Sequence, residues 1–378
     1  MSSQNAILGD GARAGWPSIS VLMPVRNESG TIGPALDSIA DQTYPVDLLE
    51  VIVMDGRSED TTVDEAITWA RAHPQVRIRI VENPARLQAA GFNIGLEQAG
   101  GDLVFIMSSA HGGIDADYIE TMVRALQSDE SIWVVGGHAR ARGTTRWGDA
   151  VARALRHRFS LGGPDWRMGG AARDTDHVGY GLYRRLAFDK VGGFSEHLVI
   201  NEDYELTHRI RSAGGRVRLE PASSSYYLTR ATPAKLARQY LTYGRYKAHV
   251  LLEHPGSTKL RHVIPFAFVT ALAAMAVATP VSRAARIGLA ATLAVYAAAS
   301  AHAARKVCGD DPGLVPDVVA ADAIMHVCYG VGNVVGAADV ARHGAHHEED
   351  STTTTEGVLL WSHEPESESP RFVAAEPA

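Results

Sequence analysis

Four short strand-like segments rich in Val, Ile and Leu punctuate the first 110 residues. They are Ile19–Val25, Leu49–Met54, Val76–Val81 and Leu103–Met107, and each is closed by a polar or turn-forming residue. Between them lie amphipathic stretches such as Thr31–Ala40. Continuous apolar strands separated by amphipathic helices predict a parallel sheet covered on both faces. Ligands in such sheets sit beyond the carboxyl ends of the strands. Arg26, Glu28, Asp55 and the Ser108–His111 turn all fall there.

Further along, Val191-Gly-Gly-Phe-Ser-Glu196 precedes Asn201-Glu-Asp-Tyr-Glu-Leu206, which opens a helical run over Glu205–Ala213. Carboxylates at a helix start are favoured by the exposed N–H groups and the helix dipole. Helix capping and a proton-accepting site are both compatible with this cluster.

The ordered set resembles the family 2 glycosyltransferases of the GT-A fold, whose sheet is Rossmann-like and mostly parallel. The residues that carry the resemblance are Pro24-Val-Arg-Asn-Glu28, Asp55-Gly-Arg-Ser58, Arg86-Leu-Gln-Ala-Ala-Gly-Phe-Asn-Ile-Gly95, Gly101-Asp102 and Glu202-Asp203. It covers residues 18 to 262. Gln239–Ala248 and His326–Gly332 look like the membrane glycosyltransferases of succinoglycan biosynthesis and extend the match to about residue 340.

The resemblance implies an inverting sugar transfer from a nucleotide donor, UDP-linked by expectation. Asp55 would accept the uracil imide N–H, while Pro24, Arg26 and Glu28 frame base and ribose. Arg86 would approach the diphosphate, where a guanidinium offers paired hydrogen bonds. Asp203 would be the general base, with Glu202 beside it. Read alone, Asp55 is equally a cap of the next helix, Arg86 a solvated charge and Pro24 a strand terminator.

Relatives end the fourth strand with Asp-x-Asp or Asp-x-His, which binds a divalent metal. Here the positions read Ser109-Ala-His111, so His111 is left to ligate Mn2+ or Mg2+ and the leading carboxylate is absent. Asp115-Ala-Asp117 follows, with Asp115 placed as the N-cap of the next helix. Gly162–Asp176, bearing Trp166, reads as a loop over the donor or acceptor. His177, Tyr180 and Tyr183 are candidate acceptor contacts, and Gln239, Arg245 and Tyr246 a candidate platform for one acceptor sugar. Processive synthases carry Gln-x-x-Arg-Trp there; the longer spacing and Tyr246 do not support polymerisation.

Composition changes the picture beyond residue 262. Ile264–Val281 and Ile287–Ala304 are Ala-rich apolar runs of near-spanning length, and Val318–Val340 is a third that carries Asp322, His326 and Asp339. A buried helical subdomain is the alternative. Arg283 and Arg286 between the first two leave shallow or re-entrant insertion open. Lys235, Arg238, Arg245, Lys247, Lys259 and Arg261 form a basic approach suited to an anionic cytoplasmic leaflet. The formal charge of −7 is carried by the segment from His343 on, with eight acids against one arginine, and that segment reads as disordered.

Two cysteines give no disulfide framework and fit a reducing compartment. The expected organisation is a flexible 1–17, a catalytic 18–262, a membrane-associated helical 263–341 and an acidic 342–378. The expected protein is a membrane-bound enzyme with a cytoplasmic catalytic domain. Its partners would be a nucleotide-sugar donor and a lipid-linked or saccharide acceptor, with no nucleic acid. A polyprenyl-phosphate sugar synthase and a catalytically silent scaffold are the alternatives.

Overall fold

The computed structural model describes residues 15–107, 112–161, 164–343 and 359–363. The first half alternates strand and helix: β1 (Ile19–Val25), α1 (Ile32–Ala40), β2 (Leu49–Asp55), α2 (Thr62–Ala72), β3 (Arg77–Glu82), α3 (Gln88–Gln98) and β4 (Leu103–Ile106). β4, β1, β2 and β3 lie side by side and parallel, as the apolar runs predict. Alternate residues feed opposite cores. Ile19, Val21 and Met23 of β1 join one cluster, and Leu22 between them joins the other.

The second half continues with α4 (Tyr118–Gln127), β5 (Ile132–Arg142), α5 (Arg146–Ala154), α6 (Arg158–Leu161), α7 (Asp165–Met168), β6 (Arg173–Asp174), β7 (Gly181–Arg184), α8 (Arg185–Val191), α9 (Glu202–Ser212) and β8 (Arg216–Leu228). β7 inserts antiparallel between β4 and β5. The sheet is therefore mixed though mostly parallel, a GT-A-like arrangement.

Asp115 does not cap α4. Asp117 holds the N-cap position without a side-chain bond, and the Asp115 carboxylate accepts from the Ser224 amide (3.0 Å) and the Tyr226 hydroxyl. Tertiary pairing with β8 claimed the side chain that sequence spacing assigned to the helix.

Four long helices follow: α10 (Pro233–Glu253), α11 (Leu260–Ala278), α12 (Arg283–Val307) and α13 (Val315–His343). The last three are each long and apolar enough to cross a membrane. α10 and α13 cross closely because Gly244, Gly332 and Gly336 sit at the contact. A Cβ on Gly244 would overlap the carbonyl oxygen of Tyr329, and one on Gly332 that of Leu241. Within the acidic segment expected to be disordered, Leu359–His363 forms a strand, β9, paired antiparallel with β3.

Candidate active site

A cavity of about 370 Å³ opens between the end of the sheet and the helices α9, α10, α11 and α13. Its walls include Gln88 and Phe92 of α3, Trp166 and Arg167 of α7, and His177 with Tyr180. Glu202 and Asp203 of α9, Tyr240, Tyr243 and Lys247 of α10, and His326 of α13 complete it.

Local geometry delivers the acid pair. Asn201 adopts a left-handed backbone (φ 71°), which an asparagine tolerates better than most residues, and the helix starts at the next position. The Asp203 Oδ1 accepts from the Tyr204 amide at 2.6 Å, and its Oδ2 faces His177 Nε2 at 3.3 Å. The side chain keeps 39% of its surface open to the cavity. His177 is oriented in turn by Thr207, 3.3 Å from its Nδ1, and by the edge of Trp166.

The two carboxyls titrate apart. Burial and the neighbouring Asp203 charge push Glu202 well above the usual carboxylate range. Burial also opposes ionisation of Asp203, but His177, the Tyr204 amide and Lys247 outweigh it and hold that carboxyl low. The result is a neutral acid beside a carboxylate, two roles from one environment. Glu205 belongs elsewhere. It is buried under Arg209 (2.6 Å), Ser195 and His254, on the far side of α9.

Lys247 is one of several cations lining this site. Its ammonium lies 3.4 Å from the centre of the Tyr204 ring, and burial draws its pKa down to about 7 against the pull of Asp203. Arg167 stacks on Trp166 and Tyr227 with its Nη1 buried and unbonded. Arg261 reaches the same wall, paired with Asp176. The α12–α13 wall is fixed by polar bonds: Asp322 accepts from Ser160 (2.5 Å) and Ser300 (2.9 Å). His326 Nε2 donates to the carbonyls of Phe159 and Ser160, leaving Nδ1 to accept from Tyr296.

The expected donor residues gather at the carboxyl ends of β1 and β2, where Pro24 stands opposite Met54 and Val25 opposite Asp55. Asp55 is 3% exposed and accepts from the Ser58 amide, so it closes the turn after β2 and does not cap α2. Glu28 binds Thr31 and Thr62, Arg26 is exposed, and Arg86 sits exposed in a left-handed turn (φ 60°). Ser109 and His111 lie outside the described residues.

Of the α10 residues read as a platform for the acceptor sugar, Gln239, Arg245 and Tyr246, none lines the cavity. Gln239 is buried between Tyr227 and Tyr243, Arg245 pairs with Asp339, and Tyr246 stacks on His249. The inward face is Tyr240, Tyr243 and Lys247. Their i, i+3, i+7 spacing was the signal available in the sequence.

The donor set does not fit a metal site among the described residues. No cluster of three or more His, Cys, Asp or Glu side chains there is grouped to hold an ion. Asp115 is engaged with β8, and Asp117 accepts from Ser223 at 2.7 Å.

The mostly parallel sheet sets an ionised carboxylate at a helix start beside a cationic cavity, and residues 20–192 match the model for glycosyl transferase family 2. The chain belongs to the family 2 glycosyltransferases and is a glycosyltransferase. It is 31% identical over 249 residues to the succinoglycan biosynthesis protein ExoA of Rhizobium meliloti, covering 65% of this chain and 74% of that one. Over 256 residues it is 26% identical to a dolichyl N-acetyl-alpha-D-glucosaminyl phosphate 3-beta-D-2,3-diacetamido-2,3-dideoxy-beta-D-glucuronosyltransferase of Methanococcus voltae (66% and 78% covered). The fold is similar to that of the mannosyltransferase PcManGT from Pyrobaculum calidifontis, solved in complex with GDP-Man and Mn2+. That likeness has a TM-score of 0.55 and 23% identity, and covers 82% of this chain and 87% of that one.

Proposed function

We propose that this enzyme inverts the anomeric centre of a nucleotide sugar, UDP-linked by our reading, in transferring it to a lipid-linked or saccharide acceptor. The reaction belongs to surface-polysaccharide assembly at the cytoplasmic face of the membrane. The observation that carries the mechanism is the Asp203 carboxylate, held ionised and open to the cavity while Glu202 beside it stays protonated. An acceptor hydroxyl entering from the α10–α13 side gives its proton to Asp203 as its oxygen attacks the anomeric carbon. The nucleoside diphosphate departs on the opposite face, toward the ends of β1 and β2.

His177 keeps the Asp203 oxygen aimed, and Lys247 with Arg167 supplies positive charge to balance phosphate. Asp55 and Glu28 hold the base end. A divalent cation is part of this reading, since PcManGT was solved with Mn2+. His111 and the donor phosphates would hold it, and it would offset charge on the departing diphosphate.

The test is Asp203→Asn, which keeps the shape and removes the proton acceptor. Transfer should fall by about 10²-fold or more, the usual worth of a positioned base, with UDP affinity unchanged within a few fold. Substantial turnover in that variant removes Asp203 from the role. A wild-type protein that binds GDP but not UDP overturns the donor assignment alone.

A further inference from the structure

Three helices qualify as membrane spans by length and composition, and three crossings would put the two ends of this region on opposite faces of the bilayer. The packing says otherwise. We infer that α11 and α12 form a hairpin that is the bilayer-inserted element. α13 lies along the catalytic domain at the membrane surface, so residues beyond it return to the side from which α11 entered.

α13 is fastened to the catalytic domain at both ends. Arg146 of α5 pairs with Asp317 (2.9 Å) near its start, and Arg245 of α10 pairs with Asp339 (2.6 Å) near its end. Those two aspartates are about 33 Å apart at 1.5 Å per residue, the full thickness of a hydrocarbon core. Between them the glycine contacts hold α10 against α13 in parallel, Leu241 facing Gly332 and Arg245 facing Gly336. If α13 crossed the bilayer, α10 would be carried in with it. α10 bears Arg238, Arg245 and Lys247, and such charges are costly in hydrocarbon.

Burial separates the three helices in the same way. In the most apolar window, 39% of α13 is buried within the protein, against 6% of α11 and 17% of α12. The large apolar side chains that α13 leaves exposed, Val327, Val331, Val334 and Val335, fall at the spacing of a single helix face. That pattern suits a helix resting in the interface, with protein on one side and lipid on the other. α11 exposes apolar side chains such as Ile264, Phe266 and Val277. Its 19 residues reach about 28 Å.

An independent observation lies beyond α13. β9 (Leu359–His363) pairs with β3 at the edge of the catalytic sheet, which requires it on the catalytic side. An even number of passages satisfies the ion pairs, the glycine contacts and this strand together.

The test needs no assumption about the reaction. The full chain carries one epitope before Met1 and another after Ala378, and protease is added to sealed membrane vesicles of each orientation. Both epitopes should be lost together in one orientation and both protected in the other. Loss of one with protection of the other in the same vesicles shows an odd number of crossings and overturns the proposal.

Discussion

Glu202 and Asp203 are neighbours in sequence, yet one is held neutral and the other charged, and the difference comes from what each faces. Glu202 is 3% exposed with an anion beside it, whereas Asp203 meets His177 and an amide. Lys247 stands in the same field with the opposite sign. Its folded pKa, about 7, is below the ordinary 10.5, so between those values the unfolded chain binds the extra proton. Stability from this group therefore rises with pH from about 7 upward, and below 7 the buried charge is a full cost. Lys247→Met should melt above the wild type at pH 6, with the gap closing toward pH 9. Thermal melts in detergent across that range check it, and a gap that widens with pH contradicts it.

Helix faces, at the next scale, decided which side chains reach the site. The resemblance pointed to Gln239, Arg245 and Tyr246 on α10, and the helix turns Tyr240, Tyr243 and Lys247 inward instead. That rotation is set by the α10–α13 crossing, where backbone meets backbone. Filling the contact should break it. Gly332→Leu places a side chain where the Leu241 carbonyl lies, and overpacking of this kind costs about 1–3 kcal/mol or more. The expected outcome is a lower melting temperature and reduced transfer together, since Lys247 moves with α10. An unchanged melt would show that the crossing is looser than described.

At the scale of the whole molecule, large apolar side chains stand open on α11, α12 and the turn between them. Val277 is 81% exposed, Val281 90% and Val295 70%, all on the hairpin. Contiguous patches of this kind need a cover, and a bilayer is the one whose thickness matches α11. The protein should stay with the membrane pellet in high salt and alkaline carbonate and be released by detergent. Release by salt alone would mean that charge, through the basic residues of α10, does the holding.

Much was legible before any packing was known, because it depends on local pattern. Val-, Ile- and Leu-rich runs mark β1, β2 and β4, whose two faces are both buried, and the alternation of Ile with Arg marks β3. The Glu202-Asp203 helix start and the three apolar helices are likewise written in consecutive residues. Other features depend on residues that meet only when the chain closes. Asp115 looks like a helix cap until β8 supplies the Ser224 amide and the Tyr226 hydroxyl. Lys247 looks like one more surface cation until the Tyr204 ring of α9 covers it and burial takes it out of water. Val318–Val340 looks like a span until Arg146 and Arg245 hold it to the catalytic domain. Periodicity determines what an element is; the partner it packs against, through desolvation and hydrogen bonding, decides what each of its side chains does.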